Sequence, residues 1–474
     1  MSNYVFTEFD DELSKLPETH VLKVRRESGI TYRDDYAVRV INSISPELYN
    51  QTLQGWSRSY YLPELHLETI LKYGSKDYPI TSLNQQVYQL CIDEVQKGLS
   101  SLQRVRAFDI LSELDKVSFK SSSAAGYDYQ GAKGPPDGFN HSRAIRRAKA
   151  IMWSVKDDGS AGMDHAIKSM VPDVSHTRTQ LADLSEKTKI RGVWGRAFHY
   201  ILLEGITADP LIQGFTKADT FYHIGGDPLE SVPALLSNTA QHCKWIYSLD
   251  WKQFDSSVSR FEINTAFDII KTKVDFPNLE SEITFEISRQ LFIHKKIAAP
   301  DGNIYWSHKG IPSGSYFTSI IGSIVNRLRI EYLWRTITGH GPIMCSTQGD
   351  DSLCGDDELV KPRDLASLAN TIGWYFNPDK TEYSTVPELV TFLGRTSKGG
   401  LNTRNLKKCI RLLAFPEYPV DSGRISAYRA RAISKDAGSL SAILNKVASR
   451  LKSTYGLASE EEVPHYFKRY VPGM

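Results

Sequence analysis

The sequence predicts an α+β fold, because short strand-like runs and helices follow one another without the regular alternation of a parallel sheet. Residues 245–249 are predicted to form a strand that ends at Asp250, and residues 261–270 an amphipathic helix. Residues 293–299 and 304–307 flank a Pro-Asp-Gly-Asn turn, which predicts a hairpin. With 474 residues, 41% of them hydrophobic and 24% charged, the chain can bury a large core divided among two or three subdomains.

The net charge hides an uneven distribution of cations. The whole chain has 57 Lys and Arg against 55 Asp and Glu, a balance that does not by itself indicate nucleic acid. The segment from Arg395 to Met474, however, has 15 Lys and Arg against 6 Asp and Glu. A basic surface of this kind suits a phosphate backbone, although a solvated basic tail has the same composition.

No feature of the sequence indicates a membrane or a secretory route. The first residues are acidic and lack an apolar segment, so we expect no signal peptide. The most apolar run, residues 317–334, is interrupted by polar and charged residues, so we expect no membrane span. The five cysteines show no metal-binding spacing, which is typical of reduced thiols in a cytosolic-type compartment.

Two segments contain aspartates that are candidates for catalytic chemistry. Asp250 and Asp255 follow a predicted strand, and Gly349-Asp350-Asp351 lies between two strand-like runs, as in a hairpin turn. If this hairpin lies beside the first strand, Asp250 and Asp350 converge, and their mutual repulsion requires a cation. Oxygen ligands suit Mg²⁺ or Mn²⁺, and two such ions stabilise both oxygens of an in-line displacement at phosphorus.

A second Gly-Asp-Asp follows at residues 355–357, so the tripeptide alone is a weak signal. Glu358 and a polar turn come directly after it. We therefore predict that the second copy is a solvated loop.

The segment Gly-Ile-Pro-Ser-Gly-Ser at 310–315 predicts a loop that enters a helix. It contains Ser313 and Gly314, and small residues let a nucleotide approach the backbone. Thr318, Gly322 and Asn326 are spaced four apart and share one helix face. Hydroxyl and amide groups there offer hydrogen bonds to ribose hydroxyls.

A basic block at residues 187–196 is a candidate triphosphate site. It holds four cations and no acid: Lys187, Lys189, Arg191 and Arg196. Alternation along a strand would place the first three on one side, although a lone charge run is also typical of a solvated edge. Downstream, Lys380 follows a predicted helix, and residues 392–395 predict a short strand and turn.

The order of these segments resembles the motif series of viral RNA-dependent RNA polymerases. The segments "GIPSGSYFT…GSIVN" and "KTKIRGVWGRAFHY" are most similar to those of the polymerases of partitiviruses, which have double-stranded RNA genomes. The resemblance implies a right-hand fold of fingers, palm and thumb, with an antiparallel palm sheet flanked by helices. It implies an N-terminal extension and fingers at 1–240, palm at 241–275 and 306–395, a fingers insertion at 276–305, and thumb at 396–474.

The resemblance also implies roles for single residues. Asp250 and Asp350 would be the main ligands of two Mg²⁺ ions, with Asp351 assisting and Mn²⁺ as a possible substitute, and Lys380 would protonate pyrophosphate. The nucleotide would be bound by the remaining candidates: Lys187, Lys189, Arg191, Arg196, Asp255, Ser313, Gly314, Thr318 and Asn326. The sequence departs from many positive-strand polymerases at Gly322, where those have Asn.

The implied reaction is template-directed synthesis of RNA from NTPs, in the virion interior and the host cytoplasm, with coat protein as a partner. A reverse transcriptase shares the palm, but its hairpin normally has an aromatic residue at the first position of the motif. A two-metal nuclease does not need the basic block. A non-enzymatic RNA-binding, capsid-associated protein leaves the ordered carboxylates unexplained.

Overall fold

The computed structural model describes residues 8–17, 27–438 and 441–468. Its α-helices are α1 (Asp35–Ile44), α2 (Pro46–Thr52), α3 (Pro63–Leu71), α4 (Gln85–Gly98), α5 (Phe139–Asp158), α6 (Ser160–Lys168), α7 (Phe198–Phe215), α8 (Pro228–His242), α9 (Phe254–Ser257), α10 (Arg260–Lys271), α11 (Leu279–Ile293), α12 (Thr318–Thr338), α13 (Pro362–Ile372), α14 (Leu406–Ala414), α15 (Gly423–Ala437), α16 (Ala442–Tyr455) and α17 (His465–Lys468). Its strands are β1 (Leu13–Lys15), β2 (Trp56–Arg58), β3 (Val105–Arg106), β4 (Asp173–Thr179), β5 (Leu181–Asp183), β6 (Ile190–Gly195), β7 (Trp245–Ser248), β8 (Val274–Asp275), β9 (Lys295–Ala298), β10 (Ile304–Ser307), β11 (Met344–Gln348), β12 (Asp351–Asp356), β13 (Glu382–Ser384), β14 (Thr396–Lys398) and β15 (Leu401–Thr403).

A four-stranded antiparallel sheet in the order β11-β12-β7-β13 carries the candidate carboxylates. The predicted strand before Asp250 is confirmed as β7, and the predicted helix at 261–270 as α10. Helix α10 begins with a capping box, in which Ser259 and Glu262 satisfy each other's backbone N–H groups. The sheet brings segments about a hundred residues apart in sequence into direct contact.

Helix α12 packs against β11 and is buried from Ile320 to Trp334. It ends at Gly339, whose φ of +85° suits glycine. Arg327 and Glu331 form an ion pair one helical turn apart within this buried stretch. Among the described residues, no helix combines the length and the apolar character needed to cross a membrane.

A second sheet, in the order β1-β10-β9-β4-β6, lies elsewhere in the chain. The predicted hairpin is confirmed as β9 and β10, and Asp301 accepts a hydrogen bond from the Asn303 N–H within its turn. The hairpin begins two residues later than predicted, because helix α11 continues to Ile293. This helix is buried on almost all sides, so its apolar end resembles a strand in sequence.

The N-terminal helix α1 packs with α14, α15 and α16 in a hydrophobic cluster separate from the large central core. Asp34 is fully buried at the start of α1 and accepts hydrogen bonds from Ser426 and Arg429 of α15. Helix α1 and helices α14–α16 therefore form one packing unit although they are far apart in the chain, which the sequence does not indicate.

The second Gly-Asp-Asp is not the solvated loop that we predicted. Gly355 and Asp356 end strand β12, where Asp356 is buried and accepts a hydrogen bond of 2.8 Å from the Trp334 indole N–H. Only Asp357 is exposed. The prediction was wrong because the local polarity of the segment gives no sign of the tryptophan that approaches from α12.

Candidate active site

Strand pairing brings Asp250 and the first Gly-Asp-Asp together. Tyr247 of β7 lies opposite Cys354 of β12 in an antiparallel pair, so the end of β7 that leads to Asp250 and the start of β12 at Asp351 lie at the same end of the sheet. Gly349 and Asp350 form the two-residue turn between β11 and β12, with Gly349 at a φ of +59°. The predicted convergence of Asp250 and Asp350 is therefore seen in the structure.

The electrostatics of this group agree with close approach. The pKa of Asp250 is raised by burial and by the charge of Asp350, while Lys380 acts against this rise. The pKa of Asp351 is raised to about 6, first by loss of solvent and then by the charges of Asp350 and Asp250. The charge of Lys380 thus acts on the Asp250 carboxylate.

The donor set fits a hard divalent cation. Besides burial, the charge of Asp350 raises the pKa values of Asp250 and Asp351, and a bound cation would relieve that repulsion. Within the described ranges, no three His, Cys, Asp or Glu side chains stand together in a group that could hold a metal ion by itself. Mg²⁺ is usually bound by one or two carboxylates, and substrate phosphates and water complete its set of ligands.

Asp255 lies at the edge of the same site. Burial and the charge of Asp350 raise its pKa to about 7, and the cations Arg191 and Lys295 oppose the shift. Its backbone carbonyl accepts a hydrogen bond of 2.8 Å from the Ile311 N–H, which ties it to the 310–315 loop. Asp255 is thus held between the carboxylates and the loop.

We expect Asp255→Asn to stabilise the metal-free protein most strongly above pH 7. The folded-state pKa of about 7 exceeds the usual 3.8, so the folded protein holds this proton where the unfolded chain has lost it. Stability due to Asp255 therefore falls as the pH rises from about 4 to 7 and stays low above that. The Tm difference between variant and wild type, measured in EDTA, should grow over this range and then level off. A Tm difference that does not change with pH would contradict the assignment. Buried histidines are the same in both proteins, so their effect on Tm cancels in this difference.

The loop at 310–315 is packed against strand β6. Ser313 Oγ accepts a hydrogen bond of 3.0 Å from the Trp194 N–H, and Thr318 Oγ1 donates to the Pro312 carbonyl. A Cβ on Gly314 would lie 1.7 Å from the Trp194 carbonyl oxygen. We predicted that the small Gly314 lets a nucleotide approach the backbone. This was wrong, because β6 already fills the space over this glycine.

Asn326 does not face a free ribose pocket. Its side chain is fully buried and makes hydrogen bonds to Trp251, Gly349 and Asp351. The predicted contact with ribose is therefore corrected, since the side chain is buried and both of its amide hydrogens are donated to backbone carbonyls. A Cβ on Gly322 would lie 3.6 Å from Gly349 Cα, so the helix lies close to the turn at this position.

The four cations of the basic block divide into three environments. Strand β6 begins at Ile190, so Lys187 and Lys189 precede it and only Arg191 lies within it. Lys187 is exposed, 3.9 Å from Glu68, whereas Arg191 acts on both Asp255 and Asp351. The shared strand face that we predicted is thus wrong for the two lysines.

Arg196 is the clearest correction within the block. Its side chain is 0% exposed, pairs with Glu204 at 2.6 Å and Asp173 at 3.5 Å, and donates 2.8 Å to the Leu291 carbonyl. A nucleotide cannot reach it, so its charge has a structural role. Glu204 in turn accepts hydrogen bonds from Ser315 Oγ and the Tyr316 N–H, which connects this buried pair to the loop.

Sequence reasoning missed two lysines that act on the site. Lys295 is fully buried, donates to four backbone carbonyls including those of Lys309 and Gly310 at 2.7 Å, and lowers the pKa of Asp255. Lys408 of α14 lowers the pKa of Asp351. Neither belongs to a motif; the excess of cations after Arg395 was the only signal that pointed toward Lys408.

Solved structures identify the class of fold. The RNA-dependent RNA polymerase of a human picobirnavirus matches with a TM-score of 0.65 and 14% identity, over 92% of this chain and 86% of that one. Its insertion-loop deletion mutant matches with a TM-score of 0.62 and 14% identity, over 90% of this chain and 86% of that one. The chain therefore has the right-hand fold of viral RNA polymerases, and the predicted fold class is confirmed.

The family follows from sequence comparison. The model of the family described as viral RNA-dependent RNA polymerase matches residues 32–452, so the chain belongs to this family. The RNA-directed RNA polymerase of Cryptosporidium parvum virus 1 (strain KSU-1) is 31% identical over 152 residues, which are 30% of this chain and 29% of that protein. The genome polyprotein of human parechovirus 5 (strain CT86-6760) is 25% identical over 126 residues, 26% of this chain and 5% of the polyprotein. The matched segments thus span less than a third of these curated relatives, and the resemblance to viral polymerases is confirmed.

Proposed function

We propose that the protein is an RNA-dependent RNA polymerase that replicates and transcribes the genome of a double-stranded RNA virus. In the reaction, the 3′-hydroxyl of the growing RNA attacks the α-phosphate of a bound NTP, and pyrophosphate leaves. Catalysis of this kind depends mainly on positioning and on neutralisation of charge. Family membership across residues 32–452 supports the proposal.

The observation that carries the proposal is the register between β7 and β12. The end of β7 that leads to Asp250 lies at the same end of the sheet as Asp351, and Asp350 belongs to the adjoining β11–β12 turn. These three carboxylates are the proposed ligands of two Mg²⁺ ions, or Mn²⁺ in their place, and family members generally use divalent metal ions. When bound, such ions would stabilise the attacking and leaving oxygens.

The surrounding residues have matching proposed roles. Arg191 and Lys189 hold the triphosphate, with Lys187 at the exposed outer end of the block. Lys380, which interacts with Asp250, donates a proton to pyrophosphate. Asp255 and Ser313 recognise the ribose 2′-hydroxyl, and Thr318 supports their loop through its hydrogen bond to Pro312.

The larger assignments are proposed on the same basis. The four-stranded sheet and α12 belong to the palm, at 241–275 and 306–395. Fingers lie at 1–240 and 276–305, and the thumb, with its excess of cations, at 396–474. Template RNA and NTPs are the substrates, the new RNA strand is the product, and coat protein is a partner. The reaction takes place in the virion interior and the host cytoplasm, without a membrane.

The assay that tests the function uses the purified full-length protein, a single-stranded RNA template, four NTPs and Mg²⁺. We expect a labelled RNA product complementary to the template. The product should depend on the template sequence and should form more slowly when dNTPs replace NTPs. Failure to form any product with Mg²⁺ or Mn²⁺ would contradict the proposal.

For sugar selection, we expect Asp255→Ala to weaken discrimination against dNTPs by about two- to tenfold, because a hydrogen bond to the 2′-hydroxyl contributes about 0.5–1.5 kcal/mol. The measurement is the ratio of kcat/KM for one NTP and its dNTP. Asp157→Ala, which removes an exposed carboxylate from α5, is the matched control and should leave the ratio unchanged. An active Asp255→Ala protein with the wild-type ratio would rule out this role.

A further inference from the structure

The buried amide of Asn326 bridges two segments of the active site. Its Oδ1 accepts a hydrogen bond of 2.8 Å from the Trp251 indole N–H. Its Nδ2 donates to the carbonyl oxygens of Gly349, at 2.9 Å, and Asp351, at 3.2 Å. One acceptor therefore faces a donor and two amide hydrogens face two acceptors, so rotating the amide by 180° would break all three bonds.

The partners of Asn326 are neighbours of the carboxylates in sequence. Trp251 directly follows Asp250, and Gly349 and Asp351 flank Asp350 on either side. The amide thus connects the end of β7 to both sides of the β11–β12 turn. Few backbone atoms separate each hydrogen bond from a carboxylate, so little movement is possible between them.

Helix α12 provides a rigid support for this bridge. One turn before Asn326, Ser323 Oγ accepts a hydrogen bond of 2.9 Å from the Gly349 N–H, and its carbonyl accepts one of 2.9 Å from Thr347 Oγ1. The absent side chain at Gly322 leaves Gly349 Cα close to the helix. The turn is therefore hydrogen-bonded to the helix on its N–H side by Ser323 and on its carbonyl side by Asn326.

We infer that Asn326 and Trp251 are positioning residues that fix the distance between Asp250 and Asp350, and that Asn326 does not select the sugar. This inference rests on the proposed polymerase function of the same site. Groups that orient metal-binding side chains typically change metal affinity or activity by about 10- to 100-fold when they are removed. Aspartate cannot replace Asn326, because its carboxylate would face two carbonyl oxygens.

The experiment compares Asn326→Leu, which keeps the side-chain size, and Trp251→Phe, which keeps a ring but removes the N–H. Thr336→Ala, at an exposed position near the far end of α12, is the matched control. For each protein we would measure kcat, the KM for NTP, the NTP-to-dNTP ratio, and Mn²⁺ affinity by electron paramagnetic resonance without substrate. Thermal unfolding would show that each variant is folded.

We expect both active-site variants to lower kcat and weaken Mn²⁺ binding by about tenfold or more, with the KM for NTP and the NTP-to-dNTP ratio unchanged. The control should match wild type in all four quantities. A changed sugar ratio with normal Mn²⁺ affinity would overturn the inference in favour of ribose recognition, as would wild-type kcat and Mn²⁺ affinity in folded variants. If Asn326→Leu does not fold, Trp251→Phe decides alone. If the wild-type protein makes no RNA but the variants still lose Mn²⁺ affinity, the polymerase function is contradicted and the positioning role is not.

Discussion

Asp350→Asn is expected to abolish RNA synthesis, with a loss of roughly a thousandfold or more, because stabilisation by a bound metal contributes several kcal/mol to the transition state. Asp350 lies at the β11–β12 turn, where its charge acts on Asp250, Asp255 and Asp351. Asparagine keeps the size of the side chain but removes the charge that a cation requires. The measurement is incorporation of labelled nucleotide with Mg²⁺ and, separately, with Mn²⁺.

The second Gly-Asp-Asp supplies the control for this experiment. Asp357 is exposed and accepts a hydrogen bond of 3.1 Å from the Lys244 N–H, which asparagine can also accept. Asp357→Asn should therefore retain wild-type activity. Undiminished synthesis by Asp350→Asn, or an equal loss in Asp357→Asn, would show that the catalytic carboxylates lie elsewhere.

Arg196→Met is expected to reduce the free energy of unfolding by about 3–5 kcal/mol, because removing one partner leaves Asp173 and Glu204 as uncompensated buried charges. Both ion pairs are inaccessible to solvent. Denaturant unfolding of the full-length protein measures the loss. Combining Arg196→Met with Asp173→Asn and Glu204→Gln should recover part of the stability, since the buried charges are then removed together.

Two other arginines separate this structural role from nucleotide binding. Arg146→Met removes an exposed cation from α5 and should change stability by no more than about 0.5 kcal/mol. Arg191→Met should raise the KM for NTP with little change in stability, because this side chain is exposed. If Arg196→Met were as stable as wild type and instead raised the KM for NTP, Arg196 would have to contact the substrate.

Local patterns predicted the elements that carry the chemistry. The apolar run before Asp250 and the turn at Gly349-Asp350 are encoded by a few neighbouring residues, and both are present in the structure. Their convergence was predicted on the condition that the hairpin lies beside that strand, and β12 does pair with β7. The surroundings of Gly314 and Asn326 were predicted wrongly, because Trp194 and Trp251, which lie next to them, are far away in the sequence.

The sequence by itself determined the α+β class, the membership in the viral polymerase family, and the carboxylates that distinguish this site. Those properties depend on short segments whose order along the chain is visible in the sequence. Only the tertiary structure decided which cations face solvent, since Arg191 and Arg196 are five residues apart and the second is enclosed by Asp173, Glu204 and Leu291. Burial depends on neighbours from distant segments, and a charge run contains no information about them.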